Sequence, residues 1–273
     1  MHVALLQVAS PDVETPEKRR RRVDAAVRRE TRLADTDVLV LPELWGAGYF
    51  GFDGYEAHAE PIDGPTVALA QAWARDLRIE VHLGSFVERH ADGRLSNTAV
   101  IVDRNGALTN VYRKVHVFGY GSQEQALLTP GDRVGVSPLG GLPSGVLTCY
   151  DLRFPEIFRS LVDLGAEQIS VCAAWPAARL EHWRLFTSVR AVEQQAWLLA
   201  CNAVGEQQGI ALGGHSRVVD PWGQVVAEAG DDEGFTRVEV DAGLPQRVRA
   251  TFPALSDRRW GAETNTSTTK EHA

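Results

Sequence analysis

A short apolar run, Gly145-Val146-Leu147-Thr148, leads straight into Cys149-Tyr150-Asp151 and then into Leu152-Arg153-Phe154-Pro155-Glu156. The run reads as a strand and Pro155 as the opening of a helix, where its missing N–H costs little because first-turn N–H groups have no intrahelical partner. A thiol therefore sits at a strand-to-helix corner. A corner of this kind can expose a nucleophile while the next backbone N–H, that of Tyr150, faces a developing oxyanion. Two readings of Cys149 stand at this point: a reactive thiol, or the small buried hydrophobe that most cysteines in apolar runs become.

The chain before the corner alternates strands and helices. His2 to Ala9 clusters apolar residues as a buried strand does, and Thr15-Pro16-Glu17 opens a helix expected to reach Ala34. Val38-Leu39-Val40-Leu41 suits a strand buried on both faces and ends in Pro42-Glu43. Ligands gather at the C-terminal ends of such strands, so Glu43 is a candidate for chemistry, with a salt-bridging acid as the alternative. Residues 46–64 are rich in glycine and aromatics and read as a loop over a pocket. A helix over Pro65 to Leu77 precedes a strand over Glu80 to Glu88. Asn97 to Val102 and Leu108 to Lys114 flank Asn105-Gly106, a strong hairpin signal. Lys114 opens a long segment to Arg133 that carries Glu124, and loops of that length in a compact domain are usually functional.

After the corner, a helix is expected over Phe154 to Leu164 and a strand over Glu167 to Ala173, broken by Trp175-Pro176. Leu180 to Trp197 reads as a helix. Strands follow over Leu198 to Val204, His215 to Val219, Gln224 to Ala229 and Gly234 to Val240. No repeat or linker divides the chain, so residues 1–255 read as one domain and 256–273 as a polar, flexible tail.

Composition narrows the function classes. A net charge of -8 argues against a nucleic-acid partner, and the basic run Lys18 to Arg22 lies within an amphipathic helix. Three cysteines without close pairing fit a reducing, cytoplasmic setting rather than a disulfide framework. Cys172 and Cys201 lie in apolar strands and read as core. No stretch of about 20 apolar residues is present, so no membrane partner is expected. Neither zinc-binding spacings nor glycine-rich phosphate loops occur, and no metal or organic cofactor is implied.

A cysteine thiol with a reference pKa near 8.5 is only slightly ionised at neutral pH and needs a base or a cation beside it. Glu43 could take the thiol proton and later activate water; Lys114 could stabilise the thiolate and the tetrahedral oxyanion; Glu124 could tune both. Such a set supports attack on a carbonyl or nitrile carbon, loss of ammonia or an amine, and hydrolysis of a thioester.

Leu41-Pro42-Glu43, Tyr112-Arg113-Lys114-Val115-His116 and Cys149-Tyr150-Asp151-Leu152-Arg153-Phe154-Pro155-Glu156 resemble, in order and spacing, the three signature motifs of the nitrilase, or carbon-nitrogen hydrolase, superfamily. The resemblance implies a Glu43-Lys114-Cys149 triad in a four-layer α-β-β-α sandwich, with Glu124 as a second active-site glutamate. It also implies a homodimer or larger homo-oligomer. Together with Trp175-Pro176-Ala177-Ala178-Arg179, Arg190-Ala191-Val192-Glu193 and Gly214-His215-Ser216-Arg217, the cysteine motif is similar to the bacterial omega-amidase branch, which hydrolyses small monoamides such as 2-oxoglutaramate. Gln194 stands where that branch commonly has Asn. A carboxylate-bearing amide calls for a guanidinium, and Arg153 corresponds to a position where related carbamoyl-amino-acid hydrolases hold a carboxylate. An ion pair of Arg153 with Glu156 or Asp151 is the structural alternative. Arg179 either reaches the pocket or is a solvated loop residue, Trp175 is pocket wall or core, and Tyr150 is expected to touch substrate. His116 and His182 read as structural.

Overall fold

The computed structural model describes residues 1–259. Its first part runs β1 (His2–Gln7), α1 (Pro16–Arg29), β2 (Val38–Val40), α2 (Tyr55–His58), α3 (Pro65–Leu77), β3 (Glu80–Arg89), β4 (Leu95–Val102), β5 (Leu108–Arg113) and α4 (Glu124–Leu127). The second runs β6 (Val136–Leu139), β7 (Leu142–Thr148), α5 (Pro155–Asp163), β8 (Gln168–Ala173), α6 (Leu180–Gln194), β9 (Trp197–Asn202), β10 (Val204–Gln207), β11 (Ile210–Gly213), β12 (Arg217–Val219), β13 (Val225–Glu228), β14 (Gly234–Glu239) and α7 (Leu244–Thr251). One six-stranded sheet has the order β14-β1-β2-β3-β4-β5, the other β13-β12-β9-β8-β7-β6. In each, the central strands are parallel and the outer ones antiparallel.

The period-2 alternation of side chains builds the layers. In β1, Val3 and Leu5 enter the core that also takes Val146, Val171 and Leu199 of the second sheet. Ala4 and Leu6 point the other way, against Val23 and Val27 of α1 and Trp73 of α3. Phe158 and Leu161 of α5 and Trp183 of α6 cover the second sheet. The result is the four-layer α-β-β-α sandwich, with β1 against β9, β3 against β8 and β4 against β7 at the seam.

Several boundaries differ from those expected. α1 stops at Arg29 because Glu30 is extended and its side chain caps Arg32 N, opening a separate turn over Thr31–Asp35. The helix expected to reach Trp197 ends at Gln194, where Gln195 takes a left-handed conformation (φ 47°) and Trp197 becomes the first residue of β9. β7 begins earlier than Gly145, paired with β6 across Gly140-Gly141, both at positive φ. The hairpin β10–β11 and helix α7 went unread. Of the polar tail, residues 260–273 lie outside the described residues.

Candidate active site

The corner after β7 has the geometry expected of it. Cys149 takes a left-handed φ of 47°, a conformation costly for a residue with a Cβ. The turn is fixed by a capping box in which Thr148 and Asp151 exchange hydrogen bonds, Thr148 N donating to Asp151 Oδ2 at 2.9 Å. Asp151 also accepts from Tyr112 Oη (2.6 Å), His116 N (3.1 Å) and His116 Nδ1 (2.8 Å). The segment that carries Lys114 is thereby tied to the corner that carries Cys149.

Glu43 leaves the end of β2 with its N–H donating to Ala173 O at 3.3 Å, and its Oε2 accepts from Ala174 N at 2.9 Å. Lys114 follows β5, its N–H bonded to Asn97 O at 2.9 Å. The ammonium of Lys114 donates to Glu43 Oε1 at 2.8 Å and to both oxygens of Glu124 at 2.9 Å, and all three side chains are wholly buried. Glu124 Oε2 also accepts from Phe118 N (2.8 Å) and Tyr49 Oη (3.2 Å). Asn97 Nδ2 donates to Glu43 Oε1 at 2.8 Å and to Glu124 Oε1 at 3.0 Å. The structure thus brings Glu43, Lys114 and Glu124 into one cluster, with the Cys149 thiol close enough to feel the charges of Glu43 and Lys114.

Removing these charges from water costs several kcal/mol per ion, and a buried pair often stabilises a fold less than apolar packing would. Burial pushes the Glu43 carboxyl up, with Lys114 opposing and Glu124 reinforcing the shift. Burial alone would lower Lys114, but the charges of Glu124 and Glu43 outweigh it and hold the ammonium well above its ordinary range. The Cys149 thiol is raised by burial and by Glu43, with Lys114 opposing. Burial and Glu43 thus favour the neutral thiol of Cys149, while the two neighbouring acids favour the charged ammonium of Lys114.

Cys149 is 9% exposed, through a cleft lined by Tyr49, Phe50, Phe118, Tyr150, Arg153, Trp175 and Arg179. The cleft is narrow, with a volume of about 30 Å³. A wider groove, with about 520 Å³ open to water centres, lies beyond Phe50 and holds none of the four clustered residues.

Among the described residues Arg153 makes no ion pair, with Glu156, Asp151 or any other acid. Its guanidinium lies 5.0 Å from the Trp175 ring centre and 5.3 Å from that of Phe186, and contacts His182 Nδ1 at 3.3 Å. Burial lowers its pKa, with Arg179 adding to the shift. Arg179 reaches the cleft, 5.7 Å over the Phe118 ring. Trp175 is both wall and core: buried, facing the cleft, with its indole N–H on Arg179 O at 2.8 Å. Tyr150 packs edge-on against Phe118 and Phe154. His116 stacks on Phe154 at 3.8 Å and serves Asp151, so its visible role is structural. Cys172 and Cys201 are wholly buried in β8 and β9.

Sequence reasoning missed Asn97, Phe118 and the hydroxyl of Tyr49 as neighbours of the cluster. The polar run Ser96-Asn97-Thr98 at the start of a buried strand was the one available signal, since buried amides need partners.

Two stacked sheets flanked by helices hold a buried Glu-Lys-Glu cluster beside a cysteine corner, and this combination points to a hydrolase. The chain matches the carbon-nitrogen hydrolase family model over residues 2–250, and it belongs to that family. It is 34% identical to the 2-oxoglutaramate amidase of Paenarthrobacter nicotinovorans (97% of this chain, 93% of the relative) and 36% identical to that of Bacillus subtilis strain 168 (89% and 92%). Its fold is similar to a mutant of the nitrilase-superfamily amidase from Nesterenkonia sp. AN1, with a TM-score of 0.83 at 28% identity over 97% of this chain and 95% of the other. That structure shows the acetamide moiety of fluoroacetamide covalently added at its active-site cysteine.

Proposed function

We propose that this enzyme hydrolyses the terminal amide of a short carboxylate-bearing substrate, 2-oxoglutaramate in the first place, through a thioester on Cys149. The observation that carries the reading is the buried cluster of Glu43, Lys114 and Glu124 against the Cys149 thiol. Glu43 takes the thiol proton as sulfur attacks the amide carbon. The oxyanion forms beside Lys114 and the Tyr150 N–H, which opens a turn and so has no carbonyl before it to bind. Glu43 returns the proton to nitrogen and ammonia leaves. Water then attacks the thioester with Glu43 as base, releasing the carboxylic acid and restoring the thiol. Glu124 holds Lys114 and is assigned no proton transfer.

Arg153, without a counterion among the described residues and flanked by Trp175, is the group we assign to the distal carboxylate, with Arg179 beside it at the mouth. Similarity to the two 2-oxoglutaramate amidases supports the same substrate. Ammonia release from 2-oxoglutaramate, compared with release from N-carbamoyl amino acids, a deaminated-glutathione-like amide and simple nitriles, tests it. Preference for a compound without a carboxylate would overturn the substrate assignment, and full activity of Cys149→Ala the mechanism.

We further assign residues 1–255 to one hydrolase domain acting in the cytoplasm as a homodimer or larger homo-oligomer. No helix among the described residues is long and apolar enough to cross a membrane. Leu185, Val189 and Val192 form an exposed apolar stripe along α6, and Trp222 and Phe252 lie exposed nearby, which supports self-association. Light scattering on the purified chain checks this.

A further inference from the structure

Glu43 and Glu124 present two carboxylates to a single ammonium in a site closed to water. With all three groups ionised the cluster carries one uncompensated negative charge, and nearby Cys149 and Tyr49 would add to it on ionising. Something besides Lys114 must hold the carboxylates together. Asn97, on β4 and 1% exposed, touches every part of this arrangement. Its carbonyl accepts the Lys114 N–H at 2.9 Å, and its amide nitrogen donates to the inner oxygens of Glu43 (2.8 Å) and Glu124 (3.0 Å).

The other end of the amide fixes its direction. Asn97 Oδ1 is buried with no hydrogen-bond partner among the described residues. Turned around, that oxygen would face two carboxylate oxygens and both N–H groups would be lost to them. A buried orphan acceptor is normally selected against, so its presence marks an amide oriented by what its nitrogen does. Asn202 makes the contrast: its amide is satisfied at both ends, by Trp175 N, Trp175 O and Gly214 O, all backbone. Asn97 instead directs its donors at the two acids.

We propose that Asn97 is a positioning residue for the hydrolytic reaction: its amide bridges Glu43 and Glu124 over Lys114 and keeps Glu43 ionised and aimed at Cys149. The inference rests on the assignment of Glu43 as the base for Cys149. Its groups come from every element around the cluster: Glu43 and Tyr49 after β2, Lys114 after β5, Glu124 on α4 and Cys149 after β7. Without the two donors the carboxylates are harder to ionise, so the reaction needs a higher pH to start.

The test is the pH dependence of Cys149 alkylation by iodoacetamide, followed by intact mass, alongside kcat and KM for 2-oxoglutaramate. Asn97→Leu keeps the volume and removes both donors, whereas Asn97→Ser keeps one hydroxyl donor. Hydrogen bonds to ionised groups are strong enough that losing both should move the acid limb of the alkylation profile up by about one pH unit or more. The expected kcat is lower by roughly ten- to a hundredfold with KM little changed, and Asn97→Ser falls between Asn97→Leu and the parent. A folded Asn97→Leu protein with the parental pH profile and kcat would overturn the proposal. Should Asn97→Leu fail to fold, Asn97→Ser decides by the same profile: a raised acid limb supports the bridge, and an unshifted one refutes it. If the parent protein is not alkylated at Cys149 at all, the triad assignment falls and takes this inference with it.

Discussion

Arg153 is a guanidinium held against two aromatic rings with no acid beside it among the described residues, which is why we assign it to a substrate carboxylate. A bidentate charge-assisted contact with a carboxylate is worth about 1.5–3 kcal/mol, or roughly ten- to a hundredfold in binding. Replacing Arg153 with Lys should raise KM for 2-oxoglutaramate by about that factor and leave hydrolysis of propionamide, which has no carboxylate, nearly unchanged. Steady-state kinetics on both amides reads this directly. An equal loss on both would mean that Arg153 shapes the cleft without reading the acid. Glu43, Lys114 and Cys149 were legible as candidates because each ends or follows a strand and carries its own local motif. Asn97 was not, because, set between Ser96 and Thr98 in a buried strand, it acquires its meaning only from partners at positions 43 and 124, far away in sequence.

The element that aims Glu43 is β3. Its pairing with β4 shifts register between His82 and Ser85, and within that irregularity Gly84 adopts φ +77°. A Cβ on Gly84 would stand 2.0 Å from Pro42 O, while Ser85 N donates to that same oxygen at 3.3 Å and Ser85 Oγ accepts from Leu44 N at 3.0 Å. The bulge is therefore a cradle for residues 42–44. Gly84→Ala should cost about 2–4 kcal/mol, combining left-handed strain with overpacking, and should lower kcat by displacing Glu43. Gly93→Ala is the control: Gly93 has a similar φ of +86° but nothing within 4 Å of its added Cβ, so about 1 kcal/mol is expected. Urea unfolding of the pair measures the difference, and equal midpoints would show that the close approach at Gly84 is not a constraint. At this scale α3 was readable to the residue, because Pro65 sits at its first position and Arg78 ends it in a left-handed cap. The end of α6 was not. Leucines and a tryptophan continue past Gln194 without a proline or glycine, and only packing of the Trp197 indole, whose N–H donates to Asp241 O at 3.0 Å, reveals that the strand has begun. The hairpin β10–β11 was hidden for another reason: its strands are only four residues long and half exposed, with burial patterns that lack an apolar period.

Across the whole molecule the two sheets meet at a seam that is apolar except for a few polar contacts, among them His82 Nδ1 against Ser170 Oγ at 2.6 Å. His82 is wholly buried with Nε2 unpartnered among the described residues, and burial lowers its pKa from 6.5 to about 3. The unfolded chain thus binds a proton between about pH 6.5 and pH 3 that the folded chain refuses. This contribution to stability is complete above about pH 6.5 and is lost as pH falls, by an amount on the order of 4–5 kcal/mol at the acid end. Denaturant unfolding at pH 7 and pH 5 should show the loss in the parent and a shallower dependence in His82→Gln; parallel slopes would exclude His82 as the source. The same seam brings the ends of β2 and β8 together, Glu43 N donating to Ala173 O and Ala174 N to Glu43 Oε2, so that a carboxyl from one sheet meets the sheet that carries Cys149. Under the proposed function that convergence serves acyl transfer to Cys149. The most direct test is to quench the enzyme with acid during turnover of 2-oxoglutaramate and weigh the intact protein and its Cys149 peptide. The account predicts a hydroxylamine-labile adduct on Cys149 with the mass of the substrate less ammonia. Turnover that persists in Cys149→Ala, or an adduct on any other residue, would contradict it.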